Sequence, residues 1–165
     1  MPLNIPTGET VFLDANIFYY HFVSLPGLST ACKELLSRVE QGELIGVTAT
    51  VVLAEAQHKV MLAEAVQKYG LSPQGLVRRL TQTPGLLARL SHHRIVPSTV
   101  VAMHVRIEPL TIAILQQAAH LSVSHELLTN DAALLAHMQA LGMTHLATND
   151  DDFDKVTGIT VWKPR

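Results

Sequence analysis

The sequence predicts an α/β fold, a three-layer α/β/α sandwich around a mostly parallel sheet of about five strands. Three observations lead there. Short apolar runs rich in β-formers alternate with longer stretches of helical period. A chain of 165 residues is long enough to bury roughly 70% of the surface its unfolded form exposes. The composition is 48% hydrophobic, 5% aromatic and 16% charged, which suits aliphatic layers and excludes a disordered chain.

The first strand is TVFL at 10–13, a buried parallel-strand pattern that stops at Asp14, after which a loop is expected. STACKELLSRVEQ at 29–41 opens on a capping Ser or Thr and ends before Gly42, with Leu35, Leu36 and Val39 on one face, so it predicts a helix. LIGVT at 44–48 is the second strand, and Thr48 to Thr50 cap a helix that runs to about Tyr69 and stops at Gly70. Two short helices follow near 72–82 and 83–91, each opened by Ser or Thr before Pro.

RIVP at 94–97 is the expected third strand. A helix is expected over 98–120, broken or kinked at Pro109, and another over 127–141 with Gly142 as its stop. THLA at 144–147 and ITVW at 159–162 are the last two strands. No repeat, linker or low-complexity run interrupts the chain, so one domain over 1–165 is expected.

The longest apolar windows fall short of the roughly 20 residues a spanning helix needs, and no membrane span is expected. One cysteine, Cys32, cannot form an internal disulfide and is expected to be a small buried residue in a reducing, cytoplasmic setting. The formal net charge of −2 excludes binding of nucleic acid by bulk charge alone. The charge is nonetheless segregated: seven basic residues and one acid, Glu64, lie between Lys59 and Arg106, while the C-terminal part is acidic.

The acids fall where an α/β sheet puts chemistry, outside the carboxyl ends of its strands. Asp14 follows strand one and the run Asp150–Asp152 follows strand four. If these strands are neighbours, the two groups converge. Glu55 lies one turn into its helix within VVLAEAQ, and Asp131 starts another. All but Glu55 have a plain structural explanation: Asp14 can cap a turn, Asp131 can complement a helix dipole, and Asp150 to Asp154 can form a solvated loop, whereas Glu55 sits among apolar neighbours and would need a partner if buried. Together they are self-repelling without a cation, and an all-oxygen donor set selects Mg²⁺ or Mn²⁺ over Zn²⁺. Such an ion suits phosphodiester hydrolysis. His92-His93 has no ligand neighbour at metal spacing.

With VFLDAN, VVLAE, LLTND and LATNDDDF in this order, the chain resembles the PIN-domain family and, within it, the VapC-like toxins. The resemblance implies a Mg²⁺- or Mn²⁺-dependent nuclease that cuts RNA. It assigns the four acids to Asp14, Glu55, Asp131 and Asp150, a small polar residue to Asn16, the Thr before the fourth acid to Thr148, and an extra acid to Asp152. The run Asp150-Asp151-Asp152 leaves the fourth position open to within a residue or two. In this reading Asp14, Asp131, Asp150 and Asp152 hold the metal, Glu55 orients or deprotonates water, and Arg78 and Arg79, with Arg89 and Arg94, contact phosphates.

The resemblance also implies an antitoxin partner and a homodimer, for which the helix from Ser29 is one candidate surface. Two alternatives stand beside it. One is a binding module for RNA or protein without catalysis. The other is a phosphatase of the haloacid dehalogenase type, which needs an acidic group two residues after the Asp nucleophile, where this chain has Asn16.

Overall fold

The computed structural model describes residues 3–164. Five strands form one sheet: β1 (Thr10–Leu13), β2 (Ile45–Ala49), β3 (Arg106–Glu108), β4 (His145–Ala147) and β5 (Thr160–Trp162). The order is β3-β2-β1-β4-β5, and every pairing is parallel. Phe12 sits opposite Val47 on one side and Leu146 on the other, so β1 is central and reads as an unbroken apolar run because both its faces are covered.

Among the described residues there are seven helices: α1 (Ala15–Phe22), α2 (Ser29–Glu40), α3 (Thr50–Tyr69), α4 (Leu76–Gln82), α5 (His92–Ala102), α6 (Ile112–His125) and α7 (Thr129–Ala140). With right-handed crossovers, the rule for parallel strands, the connections from β1 outward to β3 put their helices on one face and the return from β3 to β4 puts α6 and α7 on the other. Phe12, Phe18, Leu134, Leu135, Met138 and Phe153 are fully buried between these layers. A smaller cluster of Ala65, Leu76, Leu80 and Leu90 lies under α4, against the second half of α3.

Four expectations are corrected. The stretch after Asp14 is the helix α1 and not a loop: Asp14 accepts from the Ala15 N–H, and Ile17 and Phe18 bury completely, which outweighs the poor helix propensity of IFYYHF. RIVP at 94–97 lies inside α5, despite Pro97. The cause is remote: the buried Glu64 carboxylate of α3 accepts from the N–H groups of Ser91 and His92 and so caps α5.

The single helix expected over 98–120 is two, α5 and α6, with β3 between them; Pro109 follows the strand, and Thr111 caps α6. The second of the two short helices is only a 3₁₀ turn at Leu87–Arg89, because Pro84 and the positive-φ Gly85 consume its start.

Candidate active site

The sheet reverses direction in its strand order between β1 and β4, and the two strand ends carry Asp14 and Thr148. Asp14 is 9% exposed. Its Oδ1 accepts from Ala15 N at 2.6 Å, and its Oδ2 accepts from the Thr148 hydroxyl at 2.7 Å and from Asn16 Nδ2 at 2.5 Å. Thr148 Oγ1 in turn accepts from Asn16 Nδ2 and from Asp150 N, and Asn16 Oδ1 accepts from Asn149 N. Asp14 is therefore both the cap of α1 and the centre of a network joining the two strand ends.

Asp131, in the first turn of α7, Asp150, after β4, and Asp152 converge so that one oxygen from each lies within 4.8 Å of the others. Asp131 and Asp150 are half-buried, while Asp152 is exposed. A cleft of about 460 Å³ opens here, lined by Glu55, Leu128, Thr129, Asn130, Asp131 and Asp150. Glu55 is held from two sides, by Lys59 Nζ at 2.7 Å and by Asn130 Nδ2 at 3.0 Å.

The electrostatics record this crowding. Burial pushes the Asp131 carboxyl up to about 6, and the charges of Asp150, Asp14, Glu55 and Asp152 push it the same way. All the predicted site acids thus act on one group. Asp14 also rises to about 6, chiefly by burial, which the Thr148 and Ala15 hydrogen bonds oppose. Burial works against the Lys59 ammonium, but the bond to Glu55 and the charges of Glu55 and Asp14 hold its pKa above the ordinary value.

An oxygen-only cluster with this mutual repulsion has the donor chemistry of a Mg²⁺ or Mn²⁺ site. Asp14 is not one of the trio of Asp131, Asp150 and Asp152 and does not line the cleft, but its charge acts on Asp131.

A family model described as the PIN domain matches residues 11–159. The chain belongs to the PIN-domain family. Solved structures share this PIN fold. The Mycobacterium tuberculosis toxin VapC20, described as cleaving the sarcin-ricin loop, is 17% identical with a TM-score of 0.62, over 90% of this chain and 96% of its own. VapBC2 from Rickettsia felis, bound to a promoter DNA fragment, is 17% identical with a TM-score of 0.56, over 93% and 98%. A toxin–antitoxin complex from Klebsiella pneumoniae is 17% identical with a TM-score of 0.58, over 94% and 98%. At that identity the likeness is one of fold. No curated protein matches the sequence.

Within the PIN fold Asp14, Asn16, Glu55, Asp131, Thr148, Asp150 and Asp152 come together, whereas Arg78 and Arg79 do not join them. Both arginines are exposed on α4, where Arg78 bonds Gln82. The α4 cluster packs on α3 around Ala65, about 15 Å along the helix axis from Glu55. Arg94 donates to the Ala88 carbonyl.

Three residues that hold the site's acids or their turn escape a reading of the sequence alone: Lys59 and Asn130, which bond Glu55, and Lys163, which bonds Asp151 and Asp154. Lys59 carried a signal, its position four residues after Glu55 on one helix. Asn130 and Lys163 carried none, since their partners lie on other elements. No helix among the described residues is long and apolar enough to cross a membrane.

Proposed function

We propose that this PIN protein is a Mg²⁺- or Mn²⁺-dependent endoribonuclease, the toxin of a toxin–antitoxin pair. One observation carries the reading: the carboxylates of Asp131, Asp150 and Asp152 converge at the carboxyl edge of β1 and β4, beside a cleft that also holds Glu55. Asp131, Asp150 and Asp152 would hold the ion, directly or through water, with Asp14 adding negative charge to the site. A bound divalent ion supplies an activated water and neutralises charge that grows on the phosphate.

Glu55, held by Lys59 and Asn130 in the wall of the same cleft, would orient or deprotonate the attacking water. Asn16 and Thr148 hold Asp14 in one rotamer and, through Asp150 N, hold the start of the acidic turn. Phosphate contacts beyond the cleft fall to the basic middle of the chain, with Arg78 and Arg79 serving an RNA long enough to reach α4.

The toxin reading draws on the VapC structures and on a second feature. An apolar groove of about 520 Å³, with Tyr19, Leu25, Leu62, Val66 and Leu76 in its walls, also has Lys59 in its lining, whose ammonium bonds Glu55 of the acidic cleft. An antitoxin segment that is apolar with a basic end would fit both. For a homodimer, α6 is a better surface than α2: it exposes Ile112, Leu115 and Val123, whereas α2 exposes Thr30, Lys33 and Glu34.

The test is cleavage of a panel of structured and single-stranded RNAs by the purified protein, with Mg²⁺ or Mn²⁺ and with chelator, alongside Asp131→Asn. Metal-dependent cutting lost in the variant is expected. Cutting that survives both chelator and substitution would overturn the reading, and RNA binding without cleavage would leave the binding module in its place.

A further inference from the structure

The acidic run DDDFDK occupies a 3₁₀ turn at Asp151–Lys155, with Asp150 as its cap. A 3₁₀ turn has three residues per turn, so side chains at i and i+3 lie above one another. The period sorts the five residues of the turn itself into three faces, with Asp150 outside it as the extended cap. Phe153 is alone on one and is fully buried in the core. Asp152 shares another with Lys155, whose Nζ donates to the Glu126 carbonyl just before α7, the side on which Asp131 stands. Asp151 and Asp154 share the third, and both carboxylates accept from Lys163 Nζ, Asp151 at 2.6 Å.

Lys163 directly follows β5 and is only 7% exposed. Lysine is almost never buried unless paired, and here the two bonds to carboxylates outweigh burial, so its pKa is raised rather than lowered. The acids it gathers are themselves exposed, at 71% and 54%. The lysine is the fixed point and the turn comes to it.

We propose that Lys163 is a positioning residue for the cation site, holding Asp151 and Asp154 on the far side of the turn so that Asp150 and Asp152 face Asp131. This rests on the metal reading above, and it decides among the three neighbouring aspartates: Asp150 and Asp152 are ligands, whereas Asp151 and Asp154 are anchors. Phe153 and Lys163 together fix the rotation of the turn about its own axis. A lysine that only balanced charge would behave oppositely on removal, since losing a positive charge near an acidic site attracts a divalent cation more strongly.

The experiment is calorimetric titration of Mn²⁺ into the purified protein, with circular dichroism to score folding, for the wild type, Lys163→Met, Asp152→Asn and the double variant Asp151→Asn/Asp154→Asn. Lys163→Met is expected to weaken Mn²⁺ binding by about tenfold or more, the range for groups that orient metal ligands. The double variant, whose amide oxygens still accept from Lys163, should stay within about threefold of wild type, and Asp152→Asn should not.

Unchanged or tighter binding by folded Lys163→Met overturns the assignment, as does a double variant that loses as much affinity as Asp152→Asn. If Lys163→Met fails to fold, the comparison of the double variant with Asp152→Asn decides alone. A wild type that binds no Mn²⁺ overturns the metal reading itself, and is thereby distinct from a failure of the positioning role.

Discussion

Thr148 donates its hydroxyl to Asp14 at 2.7 Å across 134 residues of sequence, and the same oxygen accepts from Asp150 N. The bond joins the ends of β1 and β4, the central pair of the sheet, and sets where both acids stand.

Thr148→Val keeps the shape and removes these bonds. A loss of about 1–3 kcal/mol in stability is expected from the partners left unsatisfied. Because the Thr148 bond lowers the Asp14 pKa, its removal should move Asp14 further above about 6 and shift the acid limb of cleavage to higher pH. Urea unfolding and a pH–rate profile check this, and Thr148→Ser should restore both.

Asp131→Asn should stabilise the metal-free protein. The folded carboxyl titrates near 6 against 3.8 when unfolded, so its ionised form is disfavoured by folding. That penalty is complete above about 6 and vanishes as pH falls below 3.8. The variant should therefore melt a few degrees higher than wild type at pH 8 in chelator, and the gap should close at pH 4. Mn²⁺ should raise the wild-type melting temperature and leave that of the variant nearly unchanged. An Asn variant less stable at pH 8 would contradict the crowding described for the site.

Glu55→Gln separates catalysis from binding. If Glu55 orients or deprotonates water, cleavage should fall by about 10²–10⁴-fold while Mn²⁺ affinity stays within about threefold. Single-turnover cleavage at saturating Mn²⁺ together with titration of the ion distinguishes this from a ligand role, in which affinity falls as well.

Glu64→Gln tests the remote cap of α5. Burial opposes the Glu64 charge, but hydrogen bonds from Ser91 and His92 outweigh it and hold the pKa below the ordinary 4.5. Its contribution is thus present above 4.5 and is lost as pH falls through the lower folded value. The substitution should cost about 1–2 kcal/mol at pH 7, less at pH 4, and leave Mn²⁺ binding intact. Equal stability of variant and wild type at pH 7 would mean that α5 forms without the cap.

The sequence by itself determined the alternation of strands and helices, the strand at TVFL, and the placing of Asp14, Glu55, Asp131 and Asp150 at strand ends and helix starts, because each depends on local period, on capping chemistry or on the strand ends where α/β folds gather function. Only tertiary structure decided the rest. The helix at 92–102 exists through a carboxylate on α3, α1 through the burial of Ile17 and Phe18, and the division of the aspartate run through a lysine beyond β5. In each case the energy lies in a contact between elements far apart in the chain, and a pattern read along the chain does not contain it.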